Sequence, residues 1–306
     1  MEETLFYHWW SCENEPSPYQ NLRTPILLSI ATFRACSNKP IVVLDVSKYR
    51  QDWGEFPNKL NFKVIPWKCY TEKFKEQVPA WQLLSRIFDI RNYLKLSKQE
   101  KTVLYADSDV FFLKDPFPLN NNPDFFCWDK WNAGLFYYRP ASEELDKFYE
   151  IYKSYTVGAI FSEDIKRLMK KYIGYNSWYG VWEEMMLTYM TNVHPELFQQ
   201  IPKIEHCCAR DLKNTDFANL KAFHCNGLMI NNDLTKEKHA RGLLCLIAEE
   251  FYRKINSVLD QNDIELIFGK KTIEYYLPKQ INLYKKSVQF QSAVDETGHF
   301  LINKLI

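Results

Sequence analysis

No stretch of this sequence reaches the roughly 18 to 20 uninterrupted apolar residues of a membrane-spanning helix, so no membrane span is expected. The first sixteen residues are acidic and contain neither Lys nor Arg, so they lack the basic n-region of a secretory signal. The eight cysteines, at 12, 36, 69, 127, 207, 208, 225 and 245, are scattered and form no Cys-x-x-Cys. Several sit in apolar surroundings, as buried thiols do, which points to a reducing, cytoplasmic setting. A formal net charge of +1 gives no reason to expect nucleic acid as a partner. There is also no internal repeat and no low-complexity tract.

What is present is apolar and aromatic. The 306 residues are 46% hydrophobic, enough for one large α/β domain with or without an appendage. Nine Trp and nineteen Tyr bring flat faces that suit sugars and bases, although a heavily packed core uses them equally well.

The first third alternates strand-like and helix-like signals. Leu5 to Trp10 reads as a buried opening strand. Thr24-Pro25 reads as a cap with Pro at the first helical position, continued through Cys36. Pro40 to Val46 is a β-branched apolar run of the kind found in central parallel strands, and Phe62 to Trp67 is a weaker one. In Trp81 to Leu96 the residues Leu83, Leu84, Ile87, Ile90 and Leu94 recur at helical spacing, with Arg86 and Arg91 on other faces. Val103-Leu-Tyr-Ala106 is a fourth strand, and the order βαββαβ predicts an α/β fold with a mostly parallel sheet. Further on, Phe125 to Trp128, Ala133 to Tyr138 and Ala222 to Gly227 read as strands, the last running into a turn. Helices are expected over Glu143 to Tyr155, Glu163 to Tyr172, Val181 to Thr191 and Leu243 to Leu259. The Lys-rich remainder is a C-terminal appendage.

The fourth strand ends on Asp107-Ser108-Asp109. Ligands of open α/β sheets bind beyond the carboxyl ends of the strands. If the backbone stays extended, the one-residue spacing points both carboxylates the same way. Two carboxylates there suit Mn2+ or Mg2+ with coordination positions left for diphosphate oxygens. The alternative is a turn-capping Asp107 and a solvated Asp109. A dehalogenase-type phosphatase also uses an Asp-x-Asp, but it needs a later acidic pair. This sequence has neither Asp-Asp nor Gly-Asp-x-x-x-Asp.

Four stretches, in order, resemble the GT-A glycosyltransferases, and within them the glycogenin-like, retaining, family 8-like group. They are Ser85-Arg86 in the helix before the metal strand; Val103 to Asp109 with Lys114-Asp-Pro-Phe117; Trp131 to Tyr138 with Pro140; and Phe223-His-Cys-Asn-Gly227. They span roughly residues 80 to 230. The resemblance implies a GT-A fold over 1–235, with a nucleotide-sugar-binding half to about 113, an acceptor-binding half after it, and an appendage over 236–306. It implies a glycosyltransferase that takes a sugar from a nucleotide-diphosphate donor, with a uridine donor as the default, to a glycan or glycoprotein acceptor with retention.

The resemblance also implies roles by position. His224 completes the metal site with Asp107 and Asp109. Arg86 offsets donor phosphate charge. Ser108, Gly134 and Gly227 lie against the donor. Asn132 contacts the sugar. Tyr7, at the end of the first strand beside His8 and Trp9, holds the base; core packing is the alternative for it. Three departures stand out. Glu183-Glu184 occupies the place of an Asp-Gln pair, Ala133 replaces a Ser, and the Lys of a Lys-Pro-Trp tail after the late His is absent. Acidic residues suit a first helical turn in any protein. Glu183 also shares a face with Met186, Leu187 and Met190, where a carboxylate would bind sugar hydroxyls, or serve as base in an inverting reaction.

A zinc site from His206, Cys207, Cys208, His224 and Cys225 lacks the usual ligand spacing. A nucleotidyltransferase would carry a Gly-rich basic segment after its first strand, where this chain has Ser11-Cys-Glu-Asn-Glu15. A non-catalytic glycan-binding relative would be expected to have lost the metal carboxylates.

Overall fold

The apolar runs fold as strands and the amphipathic ones as helices. The computed structural model describes residues 2–9, 23–47, 53–70, 72, 81–117, 127–129, 132–138, 143–161, 167, 187, 192–200, 205–208, 217–224, 247, 250, 251 and 253–268. In chain order the elements are β1 (Thr4–Trp9), α1 (Arg23–Arg34), β2 (Ile41–Asp45), α2 (Phe56–Lys59), β3 (Lys63–Pro66), α3 (Trp81–Ser97), β4 (Val103–Ala106) and β5 (Val110–Phe112). They continue with β6 (Cys127–Asp129), β7 (Asn132–Tyr138), α4 (Glu143–Phe161), β8 (Gln199–Gln200), β9 (His206–Cys208), β10 (Ala222–His224) and α5 (Gln261–Phe268). Of the helices expected over 163–172 and 181–191, only Arg167 and Leu187 are described, both helical; the rest lies outside the described residues.

The elements fall into two units interleaved along the chain. One comprises 1–16, 39–107 and 118–201; the other comprises 17–38, 108–117 and 202–306. The first unit holds a seven-stranded sheet in the order β3-β2-β1-β4-β7-β6-β8. β1 runs parallel to β2 and β4, and β2 runs parallel to β3. β7 returns antiparallel beside β4. This is the expected α/β class with a mostly parallel sheet. β2 and β4 are buried at every position, which is why both read as unbroken apolar runs.

On one face of this sheet Phe6, Val42, Leu44, Val103, Tyr105 and Phe136 pack against α3 and α4. Each large side chain buried there contributes about 1.5–3 kcal/mol. The sequence places Arg86 and Arg91 off the apolar face of α3, yet the structure buries both, along with Ser85 and Asp89. The reason is that α3 is covered on more than one side. Arg91 pairs with Asp146 of α4, and the Tyr149 hydroxyl donates to the Ile87 carbonyl at 3.0 Å.

The second unit is built on a three-stranded sheet, β5-β10-β9, with α1 against β5. Phe33 of α1 meets Phe112 and Phe117 edge-on, and Phe111 packs on Phe251. α5 falls in the stretch the sequence leaves as an appendage. A reciprocal cap starts it: the Asp260 N–H donates to Asp263 and the Asp263 N–H to Asp260, each at 2.9 Å. Among the described residues no helix is long and apolar enough to cross a membrane. Cys36 and Cys69 are thiols rather than disulfide halves, and burial pushes the Cys36 thiol up to about 12.

His206 on β9 is buried beside Lys221, itself paired with Glu205 at 2.7 Å. Burial first, and the Lys221 charge second, push its pKa down from 6.5 to about 3. The folded chain therefore keeps this imidazole neutral, while the unfolded chain protonates it below its ordinary value of 6.5. This contribution to stability is complete above that value and is lost as pH falls toward the folded pKa, at up to about 1.4 kcal/mol per pH unit. Urea unfolding at pH of about 7.5 and 5 should show the wild type losing up to about 2 kcal/mol more than His206→Asn. Equal losses in the two chains would refute the assignment.

Candidate functional site

In the first unit the carboxyl end of β4 meets α3 and β7. The Asp107 N–H leaves the strand and donates to the Gly134 carbonyl at 2.7 Å. Tyr105 and Asp107, two residues apart on extended backbone, project to one side. The Tyr105 hydroxyl donates to Asp107 Oδ1. Arg86 Nη1 donates to the same oxygen, and also to Tyr105 Oη at 2.8 Å. The guanidinium lies 5.0 Å from the Tyr105 ring centroid, and that ring stacks on Phe136 at 4.5 Å. Arg86, 6% exposed, thus pairs directly with a half-buried carboxylate, and Asp107 is held from three directions.

In the second unit the chain does not stay extended past Asp107, as the sequence reading required. Ser108 and Asp109 form a turn into β5. The Asp109 side chain is aimed by that turn and by the strand following it, not by β alternation. β10 pairs antiparallel with β5, with His224 opposite Val110. That register brings His224 Nε2 to 3.0 Å from Asp109 Oδ1, across 115 residues of sequence.

β5 itself is anchored on both edges. Ser29 of α1 donates to the Val110 carbonyl, and the Phe112 N–H donates to Thr32 Oγ1 at 3.1 Å. On the far side the Leu113 N–H donates to the Lys221 carbonyl at 2.7 Å.

Imidazole and carboxylate fit a Mn2+ or Mg2+ site chemically. A separation of 3.0 Å also suits two adjacent ligands on an octahedral ion with bonds of about 2.1 Å. Asp107 precedes Asp109 in sequence, with only Ser108 between them.

The other expected residues fall as follows. Gly134 is buried, and its carbonyl anchors Asp107. Asn132 opens β7, its backbone paired with Asp129 where the register shifts. Tyr7 is 1% exposed, so its ring is a core side chain with no open face for a base; core packing is the reading that describes it. Glu183, Glu184 and Gly227 lie outside the described residues, as does Cys225 of the zinc alternative. The sequence reading missed Tyr105, although its position two residues before Asp107 on a strand is the signal that identifies it.

No family model matches the sequence, and no curated protein matches it. Solved structures do resemble it. The glycosyltransferase GlyE of Streptococcus pneumoniae aligns with a TM-score of 0.48 and 11% identity over 73% of this chain, which spans about half of GlyE (54%). Mouse xyloside xylosyltransferase 1 aligns with a TM-score of 0.47 and 11% identity over 73% of this chain and 97% of its own. The galactosyltransferase LgtC, solved with donor and acceptor sugar analogues, aligns with a TM-score of 0.48 and 14% identity over 85% of this chain and 98% of its own.

Proposed function

We propose that the chain is a metal-dependent glycosyltransferase of the GT-A type, moving a sugar from a nucleotide-diphosphate donor, with uridine diphosphate as the default carrier, onto a glycan or glycoprotein acceptor. The observation that carries this reading is the pair at 3.0 Å between His224 of β10 and Asp109, which lies in the turn after β4 and Asp107. Asp107, Asp109 and His224 would hold the divalent ion. When bound, such an ion supplies positive charge against the diphosphate that leaves.

The chain's own groups have separate tasks. Arg86 and Tyr105 fix the Asp107 carboxylate, and Arg86 adds positive charge at the same strand end. In the reaction the bond from the anomeric carbon to the diphosphate oxygen breaks, and its electron pair stays with the nucleotide diphosphate. The acceptor hydroxyl oxygen bonds to that carbon. With retention its proton passes to the departing phosphate oxygen on the same face. Glu183 or Glu184 takes the proton if the product is inverted. Asn132, Ser108, Gly134 and Gly227 are assigned to the donor sugar and phosphates.

Nucleotide release should be measured with a panel of donors, with and without Mn2+. Release is expected with one donor, only with metal, and reduced by about 10²–10³ in Asp109→Asn and in His224→Ala. No turnover and no metal-dependent nucleotide binding with any donor would overturn the reading. Pyrophosphate release from a nucleoside triphosphate would replace it with nucleotidyl transfer. Tyr105→Phe removes only the hydroxyl that orients Asp107. It should weaken Mn2+ binding by about 10–100-fold while leaving the circular dichroism spectrum unchanged. An unchanged manganese affinity would leave Tyr105 no role in the site.

A further inference from the structure

A second cluster of ligand-type side chains lies within the first unit, at the carboxyl rim of the parallel strands. His8 is the penultimate residue of β1, Cys69 follows β3 by three residues, and Asp89 is on α3. One nitrogen of His8, the Cys69 sulfur and one Asp89 carboxylate oxygen all lie within 4.8 Å of one another. Asp89 is the anchor. Its Oδ2 accepts from His8 Nε2 at 2.8 Å and from the Ser85 hydroxyl at 2.6 Å, and its Oδ1 accepts from the Tyr70 N–H at 2.8 Å. The side chains of His8 and Asp89 are 1% and 0% exposed, so this chemistry is shut away from water.

We infer that His8, Cys69 and Asp89 form a binding site for a thiophilic divalent ion of the zinc class, separate from the Asp107 region. Four points support it. First, a thiolate, an imidazole and a carboxylate are a donor set that zinc accepts and manganese or magnesium does not favour. Second, the charges balance: a Cys69 thiolate and the Asp89 carboxylate carry two negative charges, a neutral His8 none, and a divalent cation offsets both in a region where unbalanced charge is costly. Binding releases one proton, that of the Cys69 thiol.

Third, ligand pairs on a tetrahedral zinc lie roughly 3.3 to 3.6 Å apart, given bonds of about 2.0–2.3 Å. The three donor atoms already lie within 4.8 Å of one another, and the 2.8 Å His8–Asp89 pair would open by about 0.5 Å to meet that spacing. The fourth position would be filled by a single water entering with the ion, bulk solvent being excluded. Fourth, Ser85 and the Tyr70 N–H supply the outer hydrogen bonds that orient a ligating carboxylate. A hydrogen-bonded core network without an ion is the competing arrangement.

Cobalt(II) distinguishes the two. The full chain, stripped with chelator and titrated with cobalt, should bind it with a thiolate-to-cobalt charge-transfer band and the visible bands of a tetrahedral ion. Both should vanish in Cys69→Ser and persist in Asp109→Asn, which separates this site from the proposed catalytic metal. In the wild type, zinc should also slow alkylation of Cys69, mapped by peptide mass, without altering Cys36. That readout stands whether or not Cys69→Ser folds. Absence of the thiolate band in the wild type would overturn the inference. So would its survival in folded Cys69→Ser, or an alkylation rate at Cys69 indifferent to zinc.

Discussion

The strand Val110–Phe112 is held on both edges, and the position of Asp109 depends on it. A three-residue strand has too few ladder bonds to fix its own register. Here Ser29 and Thr32 of α1 supply the hydrogen bonds on one side, while β10 supplies those on the other. The buried backbone groups of β5 are thereby satisfied, which a segment with Val110 and Phe112 fully buried requires. A slip of one residue between β5 and β10 would turn His224 to the opposite face of the sheet. The 3.0 Å contact with Asp109 is therefore a consequence of register, and register is a consequence of two small polar residues on a helix more than 70 positions earlier in the chain.

Much of this was legible in the sequence, and what was not has physical causes. β1 to β4 and α3 lie within a residue or so of where their apolar patterns put them; β2 and β4, buried at every position, leave unbroken runs. β5 was readable only as an apolar flank of the aspartates, since three residues carry no period. The same holds for β9. The turn at Ser108 departs from the extended backbone that alternation assumes, and Asp and Ser are themselves turn formers. The cap at Asp260 and Asp263 carries the acid-x-x-acid spacing of a helix start, but it was hidden in a Lys-rich stretch with short apolar runs. Convergence of Asp109 with His224 was proposed from the order of motifs alone; no local pattern encodes a contact over 115 residues. Glu183, Glu184 and Gly227 were singled out by position in that order, and they fall outside the described residues.

α3 shows why helical periodicity misled for charged side chains. Ser85, Arg86, Asp89 and Arg91 are all buried. Isolated, each would be costly. The structure supplies Asp107 and Tyr105 for Arg86, His8 and Ser85 for Asp89, and Asp146 with the Tyr149 ring for Arg91. A pattern of apolar positions reports only one face of a helix. It cannot report that the other faces are covered by partners distant in sequence, because the partners and not the helix decide whether a charge can be buried.

The same helix sets two groups of opposite charge in distinct surroundings. Arg86 and Asp89 are three residues apart, on neighbouring turns, and face opposite kinds of partner. Arg86 brings positive charge to the Asp107 carboxylate, which also accepts from the Tyr105 hydroxyl. Asp89 brings negative charge to the buried His8 side chain and lies near the buried Cys69 thiol. Buried hydrogen bonds of Ser85, Arg86 and Asp89 join the apolar face of α3 in fixing its orientation.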